Sequence, residues 1–217
     1  MNFYAFKNRF KYGYKKFFAI LFAILGVACQ ITALVLTIVL GIESPDILGI
    51  FSSIIVLVAY YYLLTGNIRG TTIAYRGFAV FVFFNIIDFA FMLIRVVSGS
   101  FVPLLSGDPI SIALMVATLA FSILAFVSGL MTYLKFRSYQ MLGRKTTYET
   151  VRNWCIVFTI MAIIYSGIMI PFYFMSAAES GMTITDTILY YVLSFMEPTA
   201  TIFIAICAYF TILRLRD

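Results

Sequence analysis

Residues 77–105 read GFAVFVFFNIIDFAFMLIRVVSGSFVPLL, a stretch long and apolar enough to cross a bilayer that nonetheless contains Asn85, Asp88 and Arg95. A helix of about 20 apolar residues spans the hydrocarbon core of a membrane. Polar and ionisable side chains at that depth are costly, and they ordinarily face the interior of a helical bundle. The stretch therefore predicts a transmembrane helix that carries three candidate functional side chains.

The composition predicts more helices of the same kind. Hydrophobic residues make up 63% of the 217 residues and charged residues only 11%. Because the apolar residues form long continuous runs, we expect an all-α, polytopic integral membrane bundle. A basic aromatic arm at residues 1–16 precedes one domain at 17–217, which has six transmembrane helices in three antiparallel hairpins. The expected spans are 17–42, 47–65, 77–98 (or to 105), 110–134, 154–178 and 187–213.

The charges between the spans predict the orientation of the bundle. Of the 15 lysines and arginines, 14 lie in the N-terminal arm, the C-terminus or the loops at 66–76 and 135–153. Only Arg95 lies elsewhere. The alternate loops, 43–46, 106–109 and 179–186, are short and contain acids without a base. Basic loops remain in the cytoplasm, so we expect both termini to be cytoplasmic and the membrane to be the plasma membrane. This asymmetry accounts for the net charge of +6 without a nucleic-acid partner.

Two basic segments are candidates for contacts at the cytoplasmic face. The arm alternates aromatic and basic residues, which fits either a helix on an anionic membrane surface or a flexible tail that sets orientation. The fourth helix is expected to continue to Leu142, and the fifth to begin early, at the capping box of residues 146–149. The resulting basic hairpin carries Arg137, Arg144 and Lys145. It could bind lipid headgroups or a partner protein, or it could serve only to orient the chain.

The polar groups inside the membrane suggest a pocket. Counted from the helix ends at 1.5 Å per residue, the depth of Glu197 in the sixth helix matches Arg95 better than Asp88. We therefore expect a buried Arg95–Glu197 pair, with Asp88 near the midplane at the level of Gln30. Asn85 is a further candidate for this site. Two alternatives remain: Arg95 extends to the headgroups from a helix end, and Asp88 only joins neighbouring helices.

Catalysis is not expected. The chain has no histidine, no Gly-x-Ser-x-Gly motif and no glycine-rich phosphate loop. The single cysteines at positions 29, 155 and 207 have neither the pairing of a disulfide framework nor the spacing of a metal site. The sequence therefore indicates neither a cofactor nor a metal site.

Two functional classes remain. One is a small solute or ion transporter, or the membrane subunit of a transport system. The other is a non-catalytic scaffold or regulatory subunit of a larger membrane complex. In size and topology, and in the small residues Ala19 and Ala23 of its first helix, the chain is similar to substrate-binding subunits of energy-coupling-factor importers. That resemblance implies a role in transport.

Overall fold

Six α-helices make up the part of the chain that the structure describes. The computed structural model describes residues 3–40, 47–97, 109–142, 145–179 and 184–214. The helices are α1 (Phe3–Leu40), α2 (Ile47–Arg69), α3 (Thr71–Val97), α4 (Pro109–Leu142), α5 (Lys145–Glu179) and α6 (Ile184–Leu213). Each covers all or nearly all of one of the expected spans, so the expected all-α architecture is confirmed.

Five of the helices are long and apolar enough to cross a membrane. The spans within the described residues are Gly13–Leu40, Gly49–Arg69, Val116–Gln140, Tyr148–Pro171 and Thr185–Leu213. In α3 the side chains are described only at its start, where Thr72–Phe84 forms a shorter apolar helix. Large apolar side chains such as Phe17, Tyr61 and Ile188 are exposed on the outer faces of the helices. Because water would not favour such a surface, the bundle is that of an integral membrane protein.

The helices form a closed ring. Each helix packs against the next in the chain, and α6 packs against α1. The most extensive contacts are α1 with α6, α4 with α5, and α2 with α3. Helix α6 also contacts α2 and α3 across the ring. The positions of residues along the bundle axis are therefore best compared with positions on α6.

The two ends of the bundle differ in charge. At one end of the bundle α2 meets α3, α4 meets α5, and α6 ends. We call it the basic end, since it carries Arg69, Arg76, Arg137, Arg152 and Arg214. The other end is called the opposite end.

Three helix boundaries differ from those expected. Helix α2 continues to Arg69 and α3 begins at Thr71, so the loop expected at 66–76 is reduced to Gly70. The Gly70 N–H donates to the Gly66 carbonyl at 2.9 Å, and the Ile73 N–H donates to the Gly70 carbonyl at 3.1 Å. Helix α1 begins at Phe3, so the described residues of the arm continue the first spanning helix without a break.

The expected continuation of α4 and the expected early start of α5 are confirmed. Helix α4 continues to Leu142 and α5 begins at Lys145, three residues later. Tyr139 of α4 contacts Tyr148 of α5, with ring centroids 6.2 Å apart. Phe136 and Val151 are buried in a small apolar cluster at the basic end, which holds the two extensions together.

The main core lies between the basic end and the middle of the bundle. Phe158 of α5 makes edge-on contacts with Phe78 and Phe81 of α3, each at a centroid distance of 5.9 Å. Tyr60 of α2 and Ile204 of α6 belong to the same buried cluster. Edge-on aromatic pairs fill the space between helices and fix their relative rotation.

Helices α2 and α3 approach each other through glycines. A methyl group added to Gly77 would lie 2.7 Å from the Ala59 carbonyl oxygen and the Leu63 nitrogen. A methyl group on Gly66 would overlap the backbone of Ala74. Small residues at such crossings allow close backbone contact in membrane helices. These two contacts fix the register of α3 against α2.

Candidate functional site

Tyr60 joins three helices at one depth. Its ring is fully buried against Gly26 of α1, where an added methyl group would overlap it. Its hydroxyl donates a hydrogen bond to the Ala200 carbonyl of α6. Gly26 and Ala200 therefore lie at the same level in the bundle.

Three further contacts extend this register along α6. Lys15 of α1 donates through Nζ to the Leu213 carbonyl at 3.1 Å, at the basic end. Phe22 of α1 packs on Phe203, with ring centroids 5.7 Å apart. Thr159 of α5 donates through Oγ1 to the Ala205 carbonyl at 3.4 Å. Depth in α1 and α5 can therefore be compared with depth in α6.

Polar side chains of three helices lie one to two turns beyond Tyr60 toward the opposite end. Gln30 is about 6 Å beyond Gly26, and Glu197 about 4.5 Å beyond Ala200. Ser53 is two turns from Tyr60, whose ring leans the same way because helical side chains point toward the helix N-terminus. Gln30 and Ser53 are each only 3% exposed, and Glu197 is half-buried.

Ser166 of α5 lies at the same level. It is about 10 Å beyond Thr159, while Glu197 is about 12 Å beyond Ala205. Ser166 is 1% exposed. We call the residues at this depth the polar layer. They are Gln30, Ser53, Ser166, Ser194 and Glu197.

The three α3 residues named above are positioned only by their backbone. Asn85, Asp88 and Arg95 lie in α3, but their side chains are outside the described residues. From the Gly77–Leu63 contact, residue 88 is about 16 Å along α3 and Ser53 about 15 Å along α2. The backbone at residue 88 is therefore level with the polar layer, and residue 95 is about 10 Å further toward the opposite end. The Arg95–Glu197 pair stays a prediction.

A proline interrupts the hydrogen bonds of α6 at this depth. Pro198 lies within the helix and is buried, as is Ser194 one turn earlier. Because proline has no N–H, the Ser194 carbonyl lacks its usual helical donor. The Ser194 hydroxyl itself donates to the Tyr190 carbonyl at 2.7 Å, so it does not fill that gap. A backbone acceptor without its helical donor therefore adds to the polar layer.

A second polar network lies at the basic end. Asn67 of α2 is fully buried and donates through Nδ2 to the Leu63 carbonyl at 2.9 Å and to Thr211 Oγ1 at 2.7 Å. Arg214 donates to both the carbonyl and Oδ1 of Asn67, at 2.8 Å each. The network ties the end of α6 to the end of α2. The sequence analysis placed Asn67 in a loop and missed it.

Of the three residues predicted to act on the basic hairpin, only Arg137 has a described side chain. Arg137 is exposed on the extension of α4. Arg144 and the side chain of Lys145 are outside the described residues. A role in binding lipid or protein therefore stays a prediction for all three.

Metal ligands do not converge in the described part of the bundle. Among the residues whose side chains are described, no group of three or more His, Cys, Asp or Glu residues could hold a metal ion. The arrangement offers instead carbonyl, hydroxyl, amide and carboxylate oxygens at one depth. Such groups bind solutes by hydrogen bonds or hard cations through oxygen.

No known protein family, curated protein or solved structure matches the chain.

Proposed function

We infer that the protein is a transporter of a small solute or ion, or the membrane subunit of a transport system, and that the polar layer is its binding site. The observation that carries this proposal is the shared depth of Gln30, Ser53, Ser166 and Glu197, which come from four helices. Polar groups inside a membrane are costly, so their collection at one level favours a ligand over chance.

The interruption of α6 supports the same proposal. Transport sites near the middle of a membrane often use helices whose backbone hydrogen bonds are broken, because the freed groups can meet the substrate. Pro198 removes one backbone hydrogen bond from α6 at the polar layer, within a helix that is continuous from Ile184 to Leu213. Asp88 would add a second carboxylate from α3, since its backbone is level with Ser53.

The charge asymmetry supports an orientation for this transporter. We propose that the basic end faces the cytoplasm, with both termini on that side, and that the membrane is the plasma membrane. Anionic lipids would then lie beside Arg137 and its neighbours on the basic hairpin.

A test can begin without a known substrate. Wild-type protein in mild detergent is heated with a panel of amino acids, sugars, nucleosides and inorganic ions, and compounds that raise the unfolding temperature are then tested for uptake into proteoliposomes. A ligand at about 100 times its Kd stabilises the folded state by about 2.7 kcal/mol, enough to be measured. Asp88→Asn should abolish the shift and the uptake. Glu149→Gln, which neutralises an exposed carboxylate of α5, should change neither.

The exposed basic hairpin favours a second candidate, a scaffold or regulatory subunit. On that account, charge-neutralising substitutions at Arg137, Arg144 and Lys145 would release a partner that copurifies with the wild-type protein, while Asp88→Asn would have no effect. Mass spectrometry of proteins and lipids retained in mild detergent distinguishes the two candidates. A transporter retains its activity when those three charges are removed.

A further inference from the structure

The six helices pack most extensively as three pairs: α1 with α6, α2 with α3, and α4 with α5. The first pair is joined by stacked aromatic rings, such as Phe18 on Phe210 at a centroid distance of 5.3 Å. The second pair is joined by the close backbone contacts at Gly66 and Gly77. Closely packed interfaces of this kind move as units. Any opening of the ring is therefore expected between the pairs.

Helices α2 and α6 belong to different pairs and are joined by hydrogen bonds. They contact each other far less than α2 contacts α3 or α6 contacts α1. Tyr60 bonds to the Ala200 carbonyl near the middle of the bundle. At the basic end, Asn67 Nδ2 donates to Thr211 Oγ1 at 2.7 Å, and Arg214 donates to Asn67 Oδ1 at 2.8 Å. When such groups separate, they exchange these bonds for bonds to water, so the contact can break and form again.

The network at the basic end leaves its members bonded when the two helices part. Asn67 also donates to the Leu63 carbonyl of its own helix at 2.9 Å. Thr211 donates to the Cys207 carbonyl of its own helix at 2.7 Å. Arg214 is only half-buried at the end of α6, where water can solvate its guanidinium group. Separation therefore leaves no buried side chain of this network without a hydrogen bond.

This network lies between the polar layer and the basic end. The polar layer begins just beyond Tyr60, and Leu213 is about 20 Å from Ala200 along α6. Buried apolar side chains, Leu63, Phe158 and Ile204 among them, fill the bundle over this length. A solute in the polar layer could therefore reach the basic end only after the helices part there.

We propose that Asn67, Thr211 and Arg214 form a gate at the basic end, which is closed in this structure and opens when α6 moves away from α2 together with α1. The inference rests on the proposed function, because the gate would control passage between the polar layer and the basic end. The bond of Tyr60 to Ala200 is the inner contact between the same two helices. Water that enters past the open gate can replace the Ala200 carbonyl as the acceptor of the Tyr60 hydroxyl.

The test measures access to a single thiol in the polar layer. In the full-length protein, alanine replaces Cys29, Cys155 and Cys207, and Ser53 is replaced by cysteine. A membrane-impermeant methanethiosulfonate reagent is added to each face of the membrane in turn, and the rate of labelling is measured. The face of the basic end is the one from which the exposed position of Arg137, replaced by cysteine in a separate cysteine-free protein, reacts.

Substitutions in the gate should speed labelling from the basic end alone. Thr211→Val removes the acceptor of Asn67 with little change in size, and Arg214→Gln removes the charged donor. Each should raise the labelling rate by at least about 10-fold, because each weakens a contact of the closed state only. Thr132→Val is the matched control. Thr132 is also fully buried, but it donates to the Ser128 carbonyl within its own helix, so labelling should keep its original rate.

The face from which labelling rises separates a gate from a network that only stabilises the fold. A rise from both faces shows general loosening of the bundle and overturns the gate, as does an unchanged rate in both gate variants. If neither variant folds, the protein with an intact gate decides. Slow labelling from the basic end that goes to completion supports the gate, and no labelling of a thiol that reacts fully after denaturation overturns it.

The labelling experiment needs no substrate, so its outcome is separate from that of the transport test. A solute that stabilises the wild type but not Asp88→Asn keeps the proposed function even when the gate is overturned. Fast labelling of Thr211→Val from the basic end, together with no stabilising solute in the panel, supports the opening and counts against transport.

Discussion

Substituting Gly26 by alanine should strongly destabilise the bundle, because Tyr60 leaves no room for a methyl group. The added Cβ would lie 2.5 Å from Tyr60 Cε1 and closer still to the hydroxyl. The ring is fully buried and its hydroxyl is bonded to Ala200, so it cannot turn aside without losing that bond.

The expected cost has two parts. Overpacking of a filled core costs about 1–3 kcal/mol, and leaving the Tyr60 hydroxyl buried without its acceptor costs about 1–3 kcal/mol more. For a chain of this size, a total of about 2–6 kcal/mol lowers the unfolding temperature by about 4–24 °C. Thermal unfolding of detergent-purified protein, checked for a monodisperse elution profile, measures the change.

Gly167→Ala is the matched control. Gly167 also lies in the middle of a spanning helix, but an added methyl group there has nothing within 4 Å. Its replacement should leave stability unchanged or raise it by about 0.5–1 kcal/mol. In the double variant Gly26→Ala/Tyr60→Leu, the smaller side chain makes room, so its loss of stability should be at least about 1 kcal/mol less than the sum of the single losses. The reasoning is refuted if Gly26→Ala unfolds at the wild-type temperature or if the two losses simply add.

Three other predictions concern the basic end. Asn67→Ala should cost about 2–4 kcal/mol in thermal unfolding, because it removes the bonds to Thr211 and leaves Arg214 without its side-chain acceptor; a change below about 0.5 kcal/mol would contradict the network. Gly66→Ala should prevent a monodisperse bundle on size exclusion, since its methyl group overlaps the Ala74 backbone, and normal elution would show that α2 and α3 pack differently. A cysteine replacing Arg137 in a cysteine-free background should react with impermeant reagents from the cytoplasmic side alone; labelling from outside intact cells would reverse the proposed orientation.

Hydropathy predicted the helices well because a bilayer demands long apolar spans. The extension of α4 to Leu142 was also predictable, since Gly143 is the first residue after Leu134 that favours a helix end. Ala19 and Ala23, noted as small residues at close-packing spacing, are both fully buried. These features depend on the local sequence and on the requirements of a membrane, so they can be predicted from the sequence alone.

The packing partners of polar residues could not be predicted in the same way. Asn67 and its neighbours resemble a loop by composition, but Thr211, distant in sequence, provides the partner that lets Asn67 be buried inside a helix. Depth depends also on the packing register between helices, which the sequence does not give. The contact between Gly77 and Leu63 places the backbone of residue 88 at the depth of Ser53 and the polar layer.

The claim that the polar layer is one binding site is tested most directly by affinity. Binding of the ion or solute that most stabilises the wild type is measured at equilibrium in Glu197→Gln, Ser166→Ala and the control Gly167→Ala. Because the first two residues lie on different helices at one depth, both variants should bind at least about 10-fold more weakly, while the control binds as the wild type does. If Glu197→Gln and Ser166→Ala fold and bind with wild-type affinity, the layer only holds helices together and the account of its function is wrong.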